Sequence, residues 1–362
     1  MRSRIVHVIL GFGLFVSLST LGQPQKGQFS PIIPPPGSPF LSVSAVPPTG
    51  DANPYGVAFV PNGFPVGGPL HANDILTSNF NSNSGLQGTG TTIMQIKQSW
   101  EPASVFFQGQ SGLGLTTALG VLRSGFVIVG NVPTTDGTCA TVQQGSLLII
   151  DRQGNLAMTL SNSLFLNGPW DLTIHEEGNE AQVFVSNVLS GTVTRINLMA
   201  DRNGKITVQS MVQIASGYGT ACSAAAVVVG PTGLAYDGRR DILYVASTDD
   251  NEIFAVSNAA RTSEDHGPGQ LIYQDDQHLH GPLALALAPN GDLITANGDA
   301  INEDLSQLSE IVEFTPEGQF VSQFQIDAVA GSAFGLAITQ SRGKTLFAAV
   351  DDNTSVIEEW IE

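Results

Sequence analysis

Residues 230–253, GPTGLAYDGRRDILYVASTDDNEI, decide how this chain folds. A proline at 231 is followed by Thr232, by Gly233 and by an alternating apolar run. A polar loop then leads to a second apolar run, Leu243–Ser247, which ends in a turn rich in Asp and Asn before a third begins at Glu252. Alternation with period two, bounded by residues that accept turn dihedrals, is the signature of short strands in antiparallel sheets.

The same sentence occurs six times. Its opening units are Pro54-Tyr55-Gly56-Val57, Ala118-Leu119-Gly120-Val121, Pro169-Trp170-Asp171-Leu172, Pro231-Thr232-Gly233-Leu234, Pro282-Leu283-Ala284-Leu285 and Ala333-Phe334-Gly335-Leu336. Between the third residues of these units the spacings are 64, 51, 62, 51 and 51. Second strands are expected at 75–79, 126–131, 183–187, 243–247, 293–297 and 346–350, and third strands at 92–96, 146–150, 192–198, 252–256, 310–314 and 355–360. Fourth strands follow at 104–107, 156–160, 208–214, 270–273 and 320–326, and the sixth copy has none.

A four-stranded unit of about 50 residues cannot bury both faces alone, and radial stacking supplies the missing neighbours. The expected fold is therefore all-β, a six-bladed β-propeller of four-stranded antiparallel blades. One face of each first strand carries small residues, such as Gly56 and Ala58 or Ala284 and Ala286, and the other bulky ones. A strand close to the axis of converging blades needs such small side chains. The last copy would leave an exposed sheet edge. Phe40–Val46 (FLSVSAV) is the segment available to fill it, which predicts a last blade closed by an N-terminal strand. Excess length at 81–90, 132–144 and 217–225 is read as loop.

Outside the repeats, Arg2 and Arg4 precede an uncharged apolar run from Ile5 to Leu18 that ends in small residues. That is the pattern of a secretory signal peptide, assigned to residues 1–22. Residues 23–39, crowded with proline, read as an extended linker, and 40–362 as one propeller. No later stretch has the length of a spanning helix. The expected product is exported, periplasmic or extracellular, and monomeric.

The formal charge is −18. Without Arg2 and Arg4 it becomes −20, twelve basic against 32 acidic residues, a balance that repels phosphate backbones and argues against a nucleic-acid partner. Cys139 and Cys222 are the two cysteines, and an oxidising compartment permits either a disulfide or two separate thiols.

The units Asn53-Pro54-Tyr55-Gly56-Val57-Ala58 and Gly230-Pro231-Thr232-Gly233-Leu234-Ala235, with Leu243–Ser247 and Asp250-Asn251-Glu252-Ile253, resemble NHL-repeat propellers. More distantly the chain is similar to gluconolactonase-like and strictosidine-synthase-like six-bladed proteins. The lactonase-like resemblance implies a divalent cation, calcium or zinc, near the axis.

Propeller loops that lead into first strands share a face with the loops between second and third strands. Ligand-binding candidates are therefore Asn53, Tyr55, Trp170, Asp171, Asn187, Asp249, His280 and Phe334, an aromatic rim with amide and carboxylate groups suited to a small polar ligand. The alternative reading of the Asn and Asp residues is that tight turns want them. Asp171 stands where other copies keep a tiny residue; it could ligate a cation or tie a neighbouring blade's backbone. Asp171, Asn187, Asp249 and His280 are the candidate metal ligands.

No Gly-x-Ser-x-Gly elbow and no recognisable Cys and His pair is present. The preferred expectation is a non-enzymatic module that binds a ligand or protein through its loop face. The alternative is a metal-dependent hydrolase or lyase of lactonase-like type.

Overall fold

The computed structural model describes residues 31–33, 39–99, 101–201, 203–298 and 310–362. The leader expected at 1–22, and linker residues 23–30 and 34–38, lie outside the described residues. Among the described residues the strands form six four-stranded antiparallel sheets and one two-stranded hairpin, with a 3₁₀ turn at Cys139–Thr141.

Blade 1 consists of β2 (Ala52–Phe59), β3 (Ile75–Asn81), β4 (Thr92–Ile96) and β5 (Ser104–Gln108). Blade 2 is β6 (Leu115–Leu122), β7 (Phe126–Asn131), β8 (Ser146–Asp151) and β9 (Leu156–Leu160). Blade 3 is β10 (Pro169–Glu177), β11 (Glu180–Asn187), β12 (Thr192–Ala200) and β13 (Ile206–Ser216). The hairpin, β14 (Ala221–Ser223) and β15 (Val227–Val229), precedes blade 4, which is β16 (Pro231–Asp237), β17 (Ile242–Ser247), β18 (Glu252–Ser257) and β19 (Gln270–Tyr273). Blade 5 is β20 (Pro282–Leu287), β21 (Leu293–Asn297), β22 (Ile311–Phe314) and β23 (Phe320–Phe324). Blade 6 joins β24 (Ala333–Ser341), β25 (Lys344–Asp351) and β26 (Val356–Ile361) to β1 (Leu41–Ser44).

The first strands pack in a closed circle: β2 on β6, β6 on β10, β10 on β16, β16 on β20, β20 on β24, and β24 back on β2. β1 pairs antiparallel with β26, from Leu41 opposite Glu359 to Ser44 opposite Val356. The ring is therefore sealed by the N-terminal strand, and blade 6 gains a fourth strand beyond β26. Pro31–Ile33, inside the stretch read as a linker, is docked as well. The Ile32 and Ile33 N–H groups donate to the Glu313 carboxylate at 2.9–3.0 Å, and Ile33 is buried beside Phe324, Phe347 and Trp360.

Two details of the sequence reading change. In blade 2 the residue opposite Val129 is Leu119, as Val57 is opposite Thr77 and Leu172 opposite Val185. The true counterpart of Gly56 is thus Ala118, not Gly120, and the first two spacings become 62 and 53. Two extra residues of β6 lie between the Leu115–Asn131 and Leu119–Val129 pairs, where blade 3 has one between Pro169–Asn187 and Leu172–Val185, and this bulge displaces the apparent alignment. The second change is the segment 217–225, read as loop, of which Ala221–Ser223 forms a strand paired with Val227–Val229.

Small residues on the first strands meet the next blade as well as lining the axis. A Cβ on Gly56 would lie 2.6 Å from the Thr117 carbonyl oxygen of blade 2, and one on Gly233 2.4 Å from the Leu285 nitrogen of blade 5. Likewise, one on Gly335 would lie 2.3 Å from the Tyr55 carbonyl oxygen of blade 1. Each blade thus lays the small face of its first strand against the bulky face of the next. The bulky faces are left to fill or line the centre.

Candidate functional site

Alternation along the first strand places every second side chain on the bulky face. Read blade by blade in the observed register, these side chains form successive rings around the axis. The ring nearest the loops that enter the blades is Tyr55, Thr117, Trp170, Thr232, Leu283 and Phe334. The next is Val57, Leu119, Leu172, Leu234, Leu285 and Leu336.

The first ring closes the axis. Tyr55 meets Trp170 edge-on at 6.1 Å and Phe334 at 5.0 Å, and it stacks on Phe80 of β3 at 4.8 Å. Ala226, Val228 and Val229 of the hairpin lie over this cluster, and the remaining void is about 10 Å³. That is room for about one water at most. The hairpin is tethered by a disulfide: Cys139, in the loop between β7 and β8, is joined to Cys222 across a sequence separation of 83. Tyr55, Trp170 and Phe334, expected as an aromatic rim, do come together, but they are 2%, 1% and 3% exposed and form a plug under the hairpin. The signal for this cap is the apolar run Val227–Val229 immediately ahead of a first strand, with Cys222 just before it.

Beyond the aliphatic ring the axis opens. A cavity of about 400 Å³ is lined by that ring and, farther out, by Phe59, Ile174, Tyr236, Leu287 and Ile338. Its mouth lies on the face of the loops joining first to second strands, opposite the hairpin. Its volume falls within the range of small-molecule pockets, which are mostly apolar with a few placed polar groups.

Asp171 is the carboxylate in this wall among the described residues. It occupies the position of Gly56, Ala118, Gly233, Ala284 and Gly335, on the face that meets the next blade. Its Oδ1 accepts the Leu172 N–H at 2.7 Å and its Oδ2 accepts the Leu234 N–H of blade 4 at 3.3 Å. Burial pushes its carboxyl well above the ordinary carboxylate range, against the opposing pull of these two backbone bonds. Asp171 therefore ties two blades together and also places a poorly solvated carboxyl in the cavity wall.

The remaining candidates are dispersed in local bonds. Asn187 Oδ1 accepts the Asn167 N–H at 3.0 Å, while its amide donates to Thr194 Oγ1 at 3.2 Å. Asn131 and Asn297 do the same for the backbone of Gly114 and His280, so the recurring Asn fixes the loop leading into its own blade's first strand. The His280 ring Nε2 lies 3.3 Å from the Gln277 carbonyl oxygen. Asp249 packs over Gly219 next to Asp250, and burial followed by the Asp250 charge raises its carboxyl. Asn53 sits in the left-handed region at φ 58°, with its Oδ1 buried and without a hydrogen-bond partner.

The described residues contain no group of three His, Cys, Asp or Glu placed to hold a metal. With Asp171 bonded to backbone and the axis at the loop face filled by aromatic rings, the donor set does not fit a lactonase-like cation site.

A larger cleft, about 680 Å³, runs outward from the funnel mouth between blades 3 and 4, with Tyr236 as the shared wall. Its arginines are engaged by carboxylates, Arg261 with Asp241 at 2.9 Å and Arg240 with Asp237 at 3.6 Å.

The chain is thus a six-bladed β-propeller whose solved neighbours include proteins of the gluconolactonase and regucalcin type. It is similar to a gluconolactonase from Xanthomonas campestris at 12% identity and a TM-score of 0.53, over 86% of this chain and 87% of that one. It is also similar to a calcium-binding regucalcin from Agrobacterium tumefaciens at 12% identity and a TM-score of 0.50, over 85% and 89%. An α-L-arabinofuranosidase from Fusarium graminearum matches at 10% identity and a TM-score of 0.54, over 90% and 98%. Likeness at such identities is a likeness of fold. No family model and no curated protein matches the chain.

Proposed function

We propose that this protein is an exported, non-catalytic propeller, akin in its repeat wording to NHL-repeat proteins, that binds a small and mainly apolar molecule in its axial funnel. The observation that carries this reading is the asymmetry of the axis: about 10 Å³ remains at the hairpin end, against about 400 Å³ at the open end. The wall sets aliphatic side chains beside hydroxyls and backbone, so a ligand whose apolar part packs against the ring of Val57, Leu119, Leu172, Leu234, Leu285 and Leu336 gains burial. The hairpin face then offers no small-molecule entrance, and the ligand enters from the opposite face. The disulfide between Cys139 and Cys222, together with the basic and apolar N-terminus, supports export. The lactonase-like alternative has a shared fold in its favour and the dispersed donors Asp171, Asn187, Asp249 and His280 against it.

Titration with pyrene, read by fluorescence, tests the reading. The wild-type protein is expected to bind it with one-to-one stoichiometry. Ile338→Trp or Leu287→Trp at the mouth should weaken binding about tenfold or more, and Leu189→Ala on the hairpin face should leave it unchanged. Binding that ignores both mouth variants would place the ligand elsewhere and sink the proposal.

A further inference from the structure

We infer that the funnel's ligand is an amphiphilic amine, whose cationic nitrogen is held by the Asp171 carboxylate while its hydrocarbon part fills the aliphatic ring. The inference rests on the funnel being the binding site and adds the chemical class of what it takes.

Five of the six first strands carry Gly or Ala at the position of Asp171. The packing of blade on blade therefore has no need of a carboxylate there. Placing one against Leu172 and Leu234 is costly for the ionised form, and two backbone N–H bonds relieve only part of that cost. A carboxylate offers about four acceptor positions, so two remain for a ligand. Among the described residues no Lys or Arg lines the funnel, and the other polar atoms in its wall are hydroxyls and backbone. A cationic nitrogen on the ligand is the complement this wall lacks. A cationic nitrogen stabilises the ionised form that burial disfavours, whereas a carboxylate-bearing ligand would add a second poorly solvated acid and an uncharged polar one would bring no counter-charge. The acidic balance of the chain, −18, draws cations toward it and repels anions over longer range.

Isothermal titration calorimetry of the whole mature chain with octylamine, octanol and octanoate decides the matter, because the three share one tail. Octylamine is expected to bind about tenfold or more tightly than octanol, with octanoate weakest. Asp171→Ala installs the residue that blades 2 and 5 already carry at this position. In that variant octylamine and octanol should bind equally. Asp171→Asn, which keeps an acceptor for the Leu234 N–H, should give the same result. Equal binding of amine and alcohol, or an amine preference that survives both variants, would overturn the inference while leaving the funnel as the site. Failure of all three probes to bind would overturn the funnel reading as well.

Discussion

Gly233 shows how much of this fold is decided at the level of one hydrogen atom. Its missing Cβ would lie 2.4 Å from the Leu285 nitrogen and 2.5 Å from the Ala284 carbonyl carbon, both backbone atoms of the next blade. Backbone cannot swing aside as a long side chain can, so Gly233→Ala must push blades 4 and 5 apart. A loss of about 1–3 kcal/mol is expected, measured by urea denaturation. The need for tiny residues here was legible, because glycine and alanine recur at fixed places in the repeat. Their target was not, since sequence shows the small face of a strand but not which backbone it meets. Asn187 is the converse case: its turn position was evident, yet its bond to Asn167, 20 residues earlier, belongs to the strand pairing and leaves no local mark. Asp171 stood out as the exception to the repeat. The alternative in which it ties the neighbouring blade describes its contact with Leu234.

Among the elements, the seam between β1 and β26 was the easiest to anticipate, because a repeat lacking one strand and an unassigned strand at the other end of the chain imply each other. β14 and β15 were the hardest. Three-residue strands around Cys222-Ser223 carry too little alternation to be told from loop, and only the packing of Val228 over the aromatic ring makes them a cap. The seam also carries an electrostatic consequence. Burial raises Glu359, on β26 beside Gln98, to about 7, and Glu358 to about 7, with Asp351 adding to the latter. Glu310, which accepts the Gly331 N–H, is likewise raised by burial to about 7. A folded-state value above the unfolded one means that the folded chain holds the proton more tightly. The stabilisation is complete below about pH 4.5 and is lost as pH rises through about 7. Tm should therefore fall between about pH 5 and pH 8, and Glu359→Gln should flatten that slope. A Tm that rises across this interval would contradict the assignment.

At the scale of the whole molecule, the sixfold period in the sequence becomes circular order, with each first strand touching the next and the sixth touching the first. The ring specifies a scaffold and leaves function to whatever fills or opens its axis. Here the two ends differ: aromatic side chains and a disulfide-tethered hairpin occupy one, and an aliphatic funnel with one buried carboxylate opens at the other. The sequence reading placed the site at the loop face because loops entering first strands and those between second and third strands share it, and aromatic and amide residues stand in them. Whether such a cluster is a rim or a plug depends on what lies over it, and nothing in the repeat records that. The most direct test is anomalous diffraction from crystals soaked with 1-bromooctane. The account predicts a bromine peak on the propeller axis, enclosed by the ring that contains Leu285 and Leu336. A dominant peak beneath the hairpin or in the cleft between blades 3 and 4, with the funnel empty, would contradict it.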